Sequence, residues 1–200
     1  MMSVLPGRLL ASAAALVAVC LGSLASAAVI TVQQNGSGNF TTIQAALNFA
    51  ANGDTILVGP GSYAEFLDTG GKSVTLRGIN GFTQTIVDPN GADGTLLTIA
   101  GGTLLIEQMS FRNGRNASMG AISASATVTF DSCRFLGGLA SQGAALNIAS
   151  SNVTFTNNQF LSNQASSVGG AIKADNSVLA FSNCAFSTNQ CTGTQGGALR

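Results

Sequence analysis

A repeat of about 25 residues runs through the C-terminal half of this chain and limits the folds that are open to it. Phenylalanines recur at spacings of 24, 25 and 26, and five residues before each stands another large apolar side chain. These phenylalanines are Phe111, Phe135, Phe160 and Phe186. A Gly-Ala-aliphatic sequence keeps nearly the same period and ends at Ile122, Leu146, Ile172 and Leu199. Landmarks that stay in step through four units indicate a solenoid, in which each unit is one turn of a coil.

The residues inside a unit predict strands. In the unit of residues 150–175, "SSNVTFTNNQFLSNQASSVGGAIKAD", Val153 and Phe155 alternate with polar residues, as Leu179 and Phe181 do in the next. Alternation favours short strands with one side buried, and the Gly, Ser and Asn between them favour corners. We therefore expect about three strands and three corners in each unit, stacked at ~4.8 Å per turn. The predicted fold is all-β, a right-handed single-stranded parallel β-helix of about 5–6 coils.

Two recurring polar features mark the predicted corners. Asn163 and Asn189 each stand three residues after a repeat phenylalanine, where an amide can bond the main chain of its own and neighbouring turns. The Gly-Gly pairs at 169–170 and 196–197 precede an alanine and an aliphatic residue. We expect each pair to form a tight corner just before two inward-facing side chains.

The region before the repeats predicts one short helix. Thr41 and Gln44 have the spacing of a capping box. Apolar residues follow at helical spacing, and Asn52-Gly53 predicts the end of the helix. An amphipathic helix here would cover the first coil and protect its edge.

The charge content is low and balanced. Eight basic and eight acidic residues make up 8% of the chain, against roughly 25% in ordinary soluble domains. A net charge of zero gives no electrostatic reason to expect a nucleic acid or an acidic membrane as partner.

Residues 1–27 have the order of a secretory signal peptide: Arg8, a mostly apolar run from 9 to 24, and then Ala-Ser-Ala. A transmembrane anchor is the alternative, but the run is shorter than the ~18 residues that a span needs. We expect the mature β-helix domain, residues 28–200, to be exported and to lie outside the cell, on its surface or at an outer membrane.

Two family resemblances are carried by these segments. "ITVQQNGSGNFTTIQAALNFAANGDTILVGPGSYAEF", from residue 30, with "KSVTLRGI" after it, resembles the entry segment of pectin-lyase-like β-helix proteins, pectin methylesterases included. "FLSN…GGAI" and "FSTN…GGAL" resemble the FxxN and GGA(I/L/V) repeats of chlamydial polymorphic outer-membrane proteins. Both resemblances imply a right-handed parallel β-helix.

The esterase resemblance does not extend to the catalytic residues. Where that family has a glutamine, this chain has Ser118, and the next Gln and catalytic Asp fall on Leu139 and Ala140. The second catalytic Asp falls near Ala145. Without a carboxylate nucleophile and a second carboxylate as acid and base, that reaction has no groups to run it. We therefore expect no methylesterase activity.

Other site chemistries also lack their residues. The sequence has no His, which excludes Ser-His-Asp and Cys-His catalysis and imidazole metal sites. For a calcium-dependent lyase site the nearest candidates are Asp131 with Arg134 and Lys173 with Asp175. We expect Asp131 and Asp175 to lie roughly 10 Å apart along the coil, too far for one tight site. The sequence predicts no catalytic, cofactor-binding or metal-binding residue and no cofactor.

The cysteines leave two alternatives open, and the sequence also contains glycosylation sequons. Outside the signal peptide, Cys133, Cys184 and Cys191 are an odd number, so they cannot all pair within one chain. A small Cys184–Cys191 loop is one alternative, and three buried or half-buried thiols are the one we favour. Four Asn-x-Ser/Thr sequons begin at Asn35, Asn39, Asn116 and Asn152, and they matter only in a host that glycosylates exported proteins.

Two functions remain. The favoured one is a non-catalytic exported β-helix module of a cell-surface or secreted protein, with an adhesion, passenger or structural role and cell-surface glycans or proteins as partners. The alternative is a carbohydrate-active enzyme, a polysaccharide lyase or hydrolase, whose groove lies in later coils. The last repeat stops at Leu199-Arg200 before its remaining strands. We therefore expect a truncated domain with further coils beyond Arg200, or self-association through an open last coil.

Overall fold

The computed structural model describes residues 26–115, 118, 120–123, 125–193 and 196–200. These residues form a coil of about six turns built from short strands, with one helix near its start. The first elements are β1 (Val29–Val32), α1 (Ile43–Phe49), β2 (Thr55–Val58), β3 (Gly61–Tyr63) and β4 (Leu67–Asp68). The next two turns are β5 (Thr75–Gly78), β6 (Thr85–Val87), β7 (Leu97–Ala100), β8 (Thr103–Glu107), β9 (Ser110–Arg112) and β10 (Gly120–Ser123).

The later turns contain four strands each. They are β11 (Thr127–Asp131), β12 (Arg134–Leu136), β13 (Leu139–Gln142) and β14 (Leu146–Ala149), then β15 (Asn152–Thr156), β16 (Gln159–Leu161), β17 (Gln164–Val168) and β18 (Ile172–Asp175). The last described turn has β19 (Val178–Ser182), β20 (Ala185–Ser187) and β21 (Gln190–Cys191). The expectation of three strands per unit holds for the early turns and is wrong for these, because the polar segments "LASQ" and "QASSV" also pair as strands.

Every strand pairs in parallel with its counterpart one turn away, which gives four sheets along the coil axis. Sheet 1 has the order β1-β2-β5-β8-β11-β15-β19 and sheet 2 the order β3-β6-β9-β12-β16-β20. Sheet 3 has the order β4-β7-β10-β14-β18, and sheet 4 has β13-β17-β21. The predicted all-β parallel β-helix with one short helix is confirmed.

Two ladders of stacked phenylalanines fill the interior. In sheet 1, the Phe155 ring centroid lies 5.6 Å from that of Phe130 and 4.9 Å from that of Phe181, with nearly parallel planes. In sheet 2, Phe160 lies 5.0 Å from Phe135 and 4.6 Å from Phe186. The two ladders meet edge to face, as at Phe155 and Phe160. Aromatic pairs in these geometries contribute beyond their buried area, so the repeat of phenylalanines maintains the register between turns.

The corners use residues in the left-handed backbone region. Between sheets 1 and 2 these are Gln108, Ser132, Asn157 and Asn183, with φ between 52° and 57°. The Gly-Gly corner has Gly169 at φ +57°, where an added Cβ would meet the Ile172 carbonyl oxygen at 2.4 Å. The following Ala171 and Ile172 are fully buried, which confirms the predicted inward pair. Glycine is therefore required at this position by both conformation and space.

Helix α1 is capped differently from the predicted Thr41–Gln44 box. The N-cap is Thr42, whose side chain accepts from Ala45 N. The Glu65 carboxylate accepts from the backbone N–H groups of Ile43 and Gln44 at 3.0 and 2.9 Å. Gln44 is occupied elsewhere, because its amide bonds main-chain atoms of Asp68 in β4. A carboxylate from the second turn thus satisfies the helix N-terminus, which sequence spacing alone did not reveal.

The other end of α1 is fixed by the residues that follow it. Lys72 Nζ donates to the carbonyls of Leu47 and Asn48 at 2.6 and 2.8 Å. The Asp54 carboxylate accepts from the backbone N–H groups of Ala28 and Ala51, and these bonds lower its pKa. The helix is thereby bonded to the first turns and covers the start of the coil, as expected.

Candidate functional site

A shallow groove of about 370 Å³ runs over the outer face of sheet 4. Parallel pairing brings residues from three consecutive turns side by side in it. The lining residues are Leu139, Ala140, Ser141, Gln164, Ser166 and Thr192. Their side chains offer hydroxyl, amide and methyl groups, and none of the six is titratable near neutral pH. The groove can exchange hydrogen bonds with a ligand, but these six residues transfer no proton.

The positions aligned with esterase catalytic residues lie in or near this groove. Leu139 and Ala140 belong to β13 and line it. Ala145 is completely buried at the start of β14, facing the core. Ser118 is buried, and its hydroxyl donates to the Gln142 carbonyl at 2.9 Å. These four side chains therefore take structural positions in and around β13.

The candidate pair Asp131 and Arg134 lies at the corner between sheets 1 and 2. Asp131 Oδ1 accepts from Ser132 Oγ at 2.9 Å and from Asn157 Nδ2 at 3.2 Å. Asn183 Nδ2 in turn donates to Asn157 Oδ1 at 2.8 Å, which extends the ladder by one turn. Asp131 is thus the first member of a polar ladder that ties three turns together.

The other candidate pair, Lys173 and Asp175, lies in sheet 3, away from the corner that holds Asp131 and Arg134. Both residues belong to β18 in sheet 3, and their side chains form an ion pair. A further ion pair joins Arg77 to Glu107 on the outer face of sheet 1. The structure does not bring Asp131, Arg134, Lys173 and Asp175 into one site. Among the described residues, no three His, Cys, Asp or Glu side chains group closely enough to hold a metal ion.

A basic pair on sheet 2 was missed by the sequence analysis. Arg134 Nε donates to Gln159 Oε1 at 3.0 Å, and its guanidinium carbon lies 4.4 Å from the Phe82 ring centroid. Arg112 Nε donates to Ser110 Oγ at 3.1 Å. Burial, and next the charge of Arg112, lower the pKa of Arg134. The sequence contains a signal for this pair. Arg112 directly follows the repeat residue Phe111, and Arg134 directly precedes Phe135 in the next unit.

The three described cysteines are free thiols. Cys133 is fully buried, and burial raises its pKa to about 12. Cys184 and Cys191 are half-buried, with their sulfur atoms near main-chain carbonyls. This matches the favoured expectation of three small buried or half-buried residues rather than a Cys184–Cys191 loop.

The sequons lie in three different settings. Asn35 is in an exposed turn, and its Oδ1 accepts from the Ser37 backbone N–H and hydroxyl. Asn39 is exposed and accepts from Thr31, and Asn152 points outward from β15. Asn116 lies outside the described residues.

Comparison with known proteins agrees with this architecture. A search of curated proteins gives no significant match. Among solved structures, the chain is similar to a pectin methylesterase from Aspergillus niger at 13% identity and a TM-score of 0.36. That alignment covers 77% of this chain and 67% of the esterase, and at this level it says nothing about activity. No helix in the described part of the chain is long and apolar enough to cross a bilayer. The family model described as "Right handed beta helix region" matches residues 31–198, so the chain belongs to the right-handed β-helix family.

Proposed function

We propose that this protein is a non-catalytic, exported β-helix repeat module that serves an adhesion, passenger or structural role at a cell surface or outside the cell. The observation that carries the proposal is the use made of its charged side chains. Asp131 belongs to a corner ladder, and Glu107 and Asp175 are ion-paired. Asp131 and Glu107 bond side chains of neighbouring turns, and Asp175 pairs with Lys173 within strand β18, so these carboxylates are engaged in structural contacts.

The surface role is supported by the repeats themselves. The FxxN sequences place Asn163 and Asn189 on consecutive corners, and the GGA(I/L) sequences form the corner before sheet 3. These two features carry the resemblance to chlamydial polymorphic outer-membrane proteins. In such an architecture, identical corners and strands build an elongated scaffold whose outer faces are available for binding.

Export is proposed from residues 1–27, of which 1–25 lie outside the described residues. A fusion of residues 1–35 to a reporter that is active only after export tests this part. We expect reporter activity in the native segment. We expect no activity when leucines of the apolar run are replaced by aspartates, because the run would no longer partition as a signal peptide does. Equal activity of the two fusions would contradict export by this segment.

The absence of catalysis is tested with the purified protein on methylesterified pectin, polygalacturonate and neutral glycans. We expect no release of methanol, reducing ends or unsaturated products above buffer, because the candidate acid and base groups are used structurally. Product release that scales with protein concentration and is lost on heating would favour the alternative, a carbohydrate-active enzyme.

A further inference from the structure

We propose that Arg112 and Arg134 form a docking site for a carboxylate side chain of a partner polypeptide. The site lies on the outer face of sheet 2 and is separate from the groove over sheet 4. The inference goes beyond the proposed function, because it would hold for a catalytic or a non-catalytic β-helix.

The register of sheet 2 places the two arginines on adjacent strands, two positions apart. Arg134 in β12 is directly opposite Ser110 in β9, and Arg112 is opposite Leu136. The Arg112 side chain folds toward Ser110, since its Nε donates to that hydroxyl. This brings the Arg112 side chain toward the β9 position that pairs with Arg134. Burial, and next the charge of Arg112, lower the pKa of Arg134.

Both guanidinium groups are held in fixed orientations. Each uses its Nε to donate to a neighbouring side chain, the buried Ser110 hydroxyl for Arg112 and the Gln159 amide oxygen for Arg134. Arg134 also stacks on the Phe82 ring. Within the described residues, neither arginine forms a salt bridge with a carboxylate. The terminal nitrogens are the part of the guanidinium fork that pairs with carboxylates in bidentate geometry.

The nearby carboxylates accept hydrogen bonds from neutral donors, and among the described residues they form no salt bridge with either arginine. Asp88 directly follows Val87, which pairs with Phe111, the residue before Arg112. Its Oδ1 accepts from Asn90 N at 2.9 Å and its Oδ2 from Asn113 Nδ2 at 2.8 Å. Asp131, near Arg134 in sequence, bonds Ser132 and Asn157. Two like charges held together at a half-buried position are unfavourable, and an external carboxylate would relieve that repulsion.

The surroundings favour a polypeptide over other anions. The outward residues around the pair are half-buried and mostly apolar: Ile86, Leu136, Leu161 and Phe82. Arginine anchors amid aliphatic and aromatic side chains are typical of protein interfaces. A nucleic acid would need a track of several cations along its backbone, whereas this is one pair in a chain of zero net charge.

The test measures binding of a fluorescently labelled 12-residue peptide of alternating Glu and Leu, with the Gln-Leu peptide as its neutral match. We expect the Glu-Leu peptide to bind about tenfold more tightly at low salt and to lose this preference at high salt. The double variant Arg112→Gln/Arg134→Gln should remove the preference. Arg134→Lys should retain only part of it, because lysine lacks the planar fork.

The matched control is Arg77→Gln, which removes an outward arginine that is already paired with Glu107 on sheet 1. It should leave peptide binding unchanged. Arginine Nε–H signals in NMR spectra give the site directly, and those of Arg112 and Arg134 should shift with the Glu-Leu peptide only. Equal binding of the two peptides would overturn the proposal. So would undiminished binding by a folded double variant, or tighter binding of an acidic oligosaccharide than of the peptide at these arginines.

Discussion

Asn163 and Asn189 stand at the same corner of consecutive turns, and Asn163 Nδ2 donates to Asn189 Oδ1 across 2.9 Å. Asn163 is completely buried. Its Oδ1 accepts from Gly138 N at 3.0 Å, and its Nδ2 also donates to the Phe135 carbonyl at 3.1 Å. One side chain therefore bonds the turn before it and the turn after it, and this explains physically why the FxxN sequence recurs.

Replacing Asn163 should be costly. In Asn163→Ala, a buried N–H and a buried carbonyl lose their partner, and each unsatisfied group costs about 1–3 kcal/mol. We expect the free energy of unfolding to fall by about 2–4 kcal/mol in urea titrations. Asn189→Ala, at a half-buried position one turn later, is the control and should cost less. Equal losses in the two variants would contradict the role given to burial.

The phenylalanine ladder makes a graded prediction. Phe155 is fully buried between Phe130 and Phe181, whereas Phe181 is 38% exposed. We expect Phe155→Ala to lower the free energy of unfolding by about 3–5 kcal/mol, and Phe181→Ala by clearly less. Thermal and urea unfolding of both variants measure the difference. A larger loss for Phe181 would show that the stacking order is not the one described.

Glu65 should stabilise helix α1 through its bonds to Ile43 N and Gln44 N. Glu65→Ala leaves both N–H groups without this acceptor, and we expect a loss of about 1 kcal/mol, as for other N-terminal helix contacts. Glu107→Ala removes an ion pair with the exposed end of Arg77 and should change stability by about 1 kcal/mol. Urea unfolding followed by circular dichroism measures the free energy of unfolding of both variants. An unchanged value in Glu65→Ala would contradict the capping role of Glu65.

The burial of Cys133 predicts slow alkylation of its thiol and a stability that depends on pH. Burial raises its pKa to about 12 from a usual value of 9.0, so the folded protein keeps the thiol protonated at pH values where the unfolded chain loses the proton. The contribution of the protonated thiol to the free energy of unfolding is therefore fully present below pH 9 and is lost as the pH rises toward 12. Cys133→Ser should flatten that decline. At pH 8, iodoacetamide should modify Cys184 and Cys191 before Cys133, and early modification of Cys133 in folded protein would contradict its burial.

The last described coil predicts self-association. Phe186 and Phe181 each have a covered ring face and an exposed one, and β19, β20 and β21 pair with strands on one side only within the described residues. We expect residues 28–200 to form dimers at high concentration through these edges. Phe181→Asp should weaken the dimer, whereas Phe49→Asp, which changes an exposed side chain of α1 at the start of the coil, should not. Light scattering that finds a monomer at every concentration would argue against this.

The repeats and their alternation were sufficient to predict the coil, because strand period and turn chemistry are local properties of the sequence. The fourth strand of the later turns was not predictable in this way, since "LASQ" has no strong alternation and pairs only because "QASSV" lies next to it. The Glu65 cap joins residues 21 and 22 positions apart in the chain. The Arg112–Arg134 pair likewise depends on the register between turns. The spacing of the repeats suggests this register, but the directions of the two side chains decide whether their guanidinium groups lie close together.

We propose that Asp131 ties neighbouring turns of the coil together and takes no part in chemistry, and Asp131→Ala is the direct test of this assignment. The measurement is stability and product release from pectin and polygalacturonate in the same preparation. We predict a loss of about 1 kcal/mol in the free energy of unfolding, because Asn157 and Ser132 lose their acceptor, with product release at background in both proteins. Turnover by the native protein that Asp131→Ala abolishes, with stability unchanged, would contradict the claim.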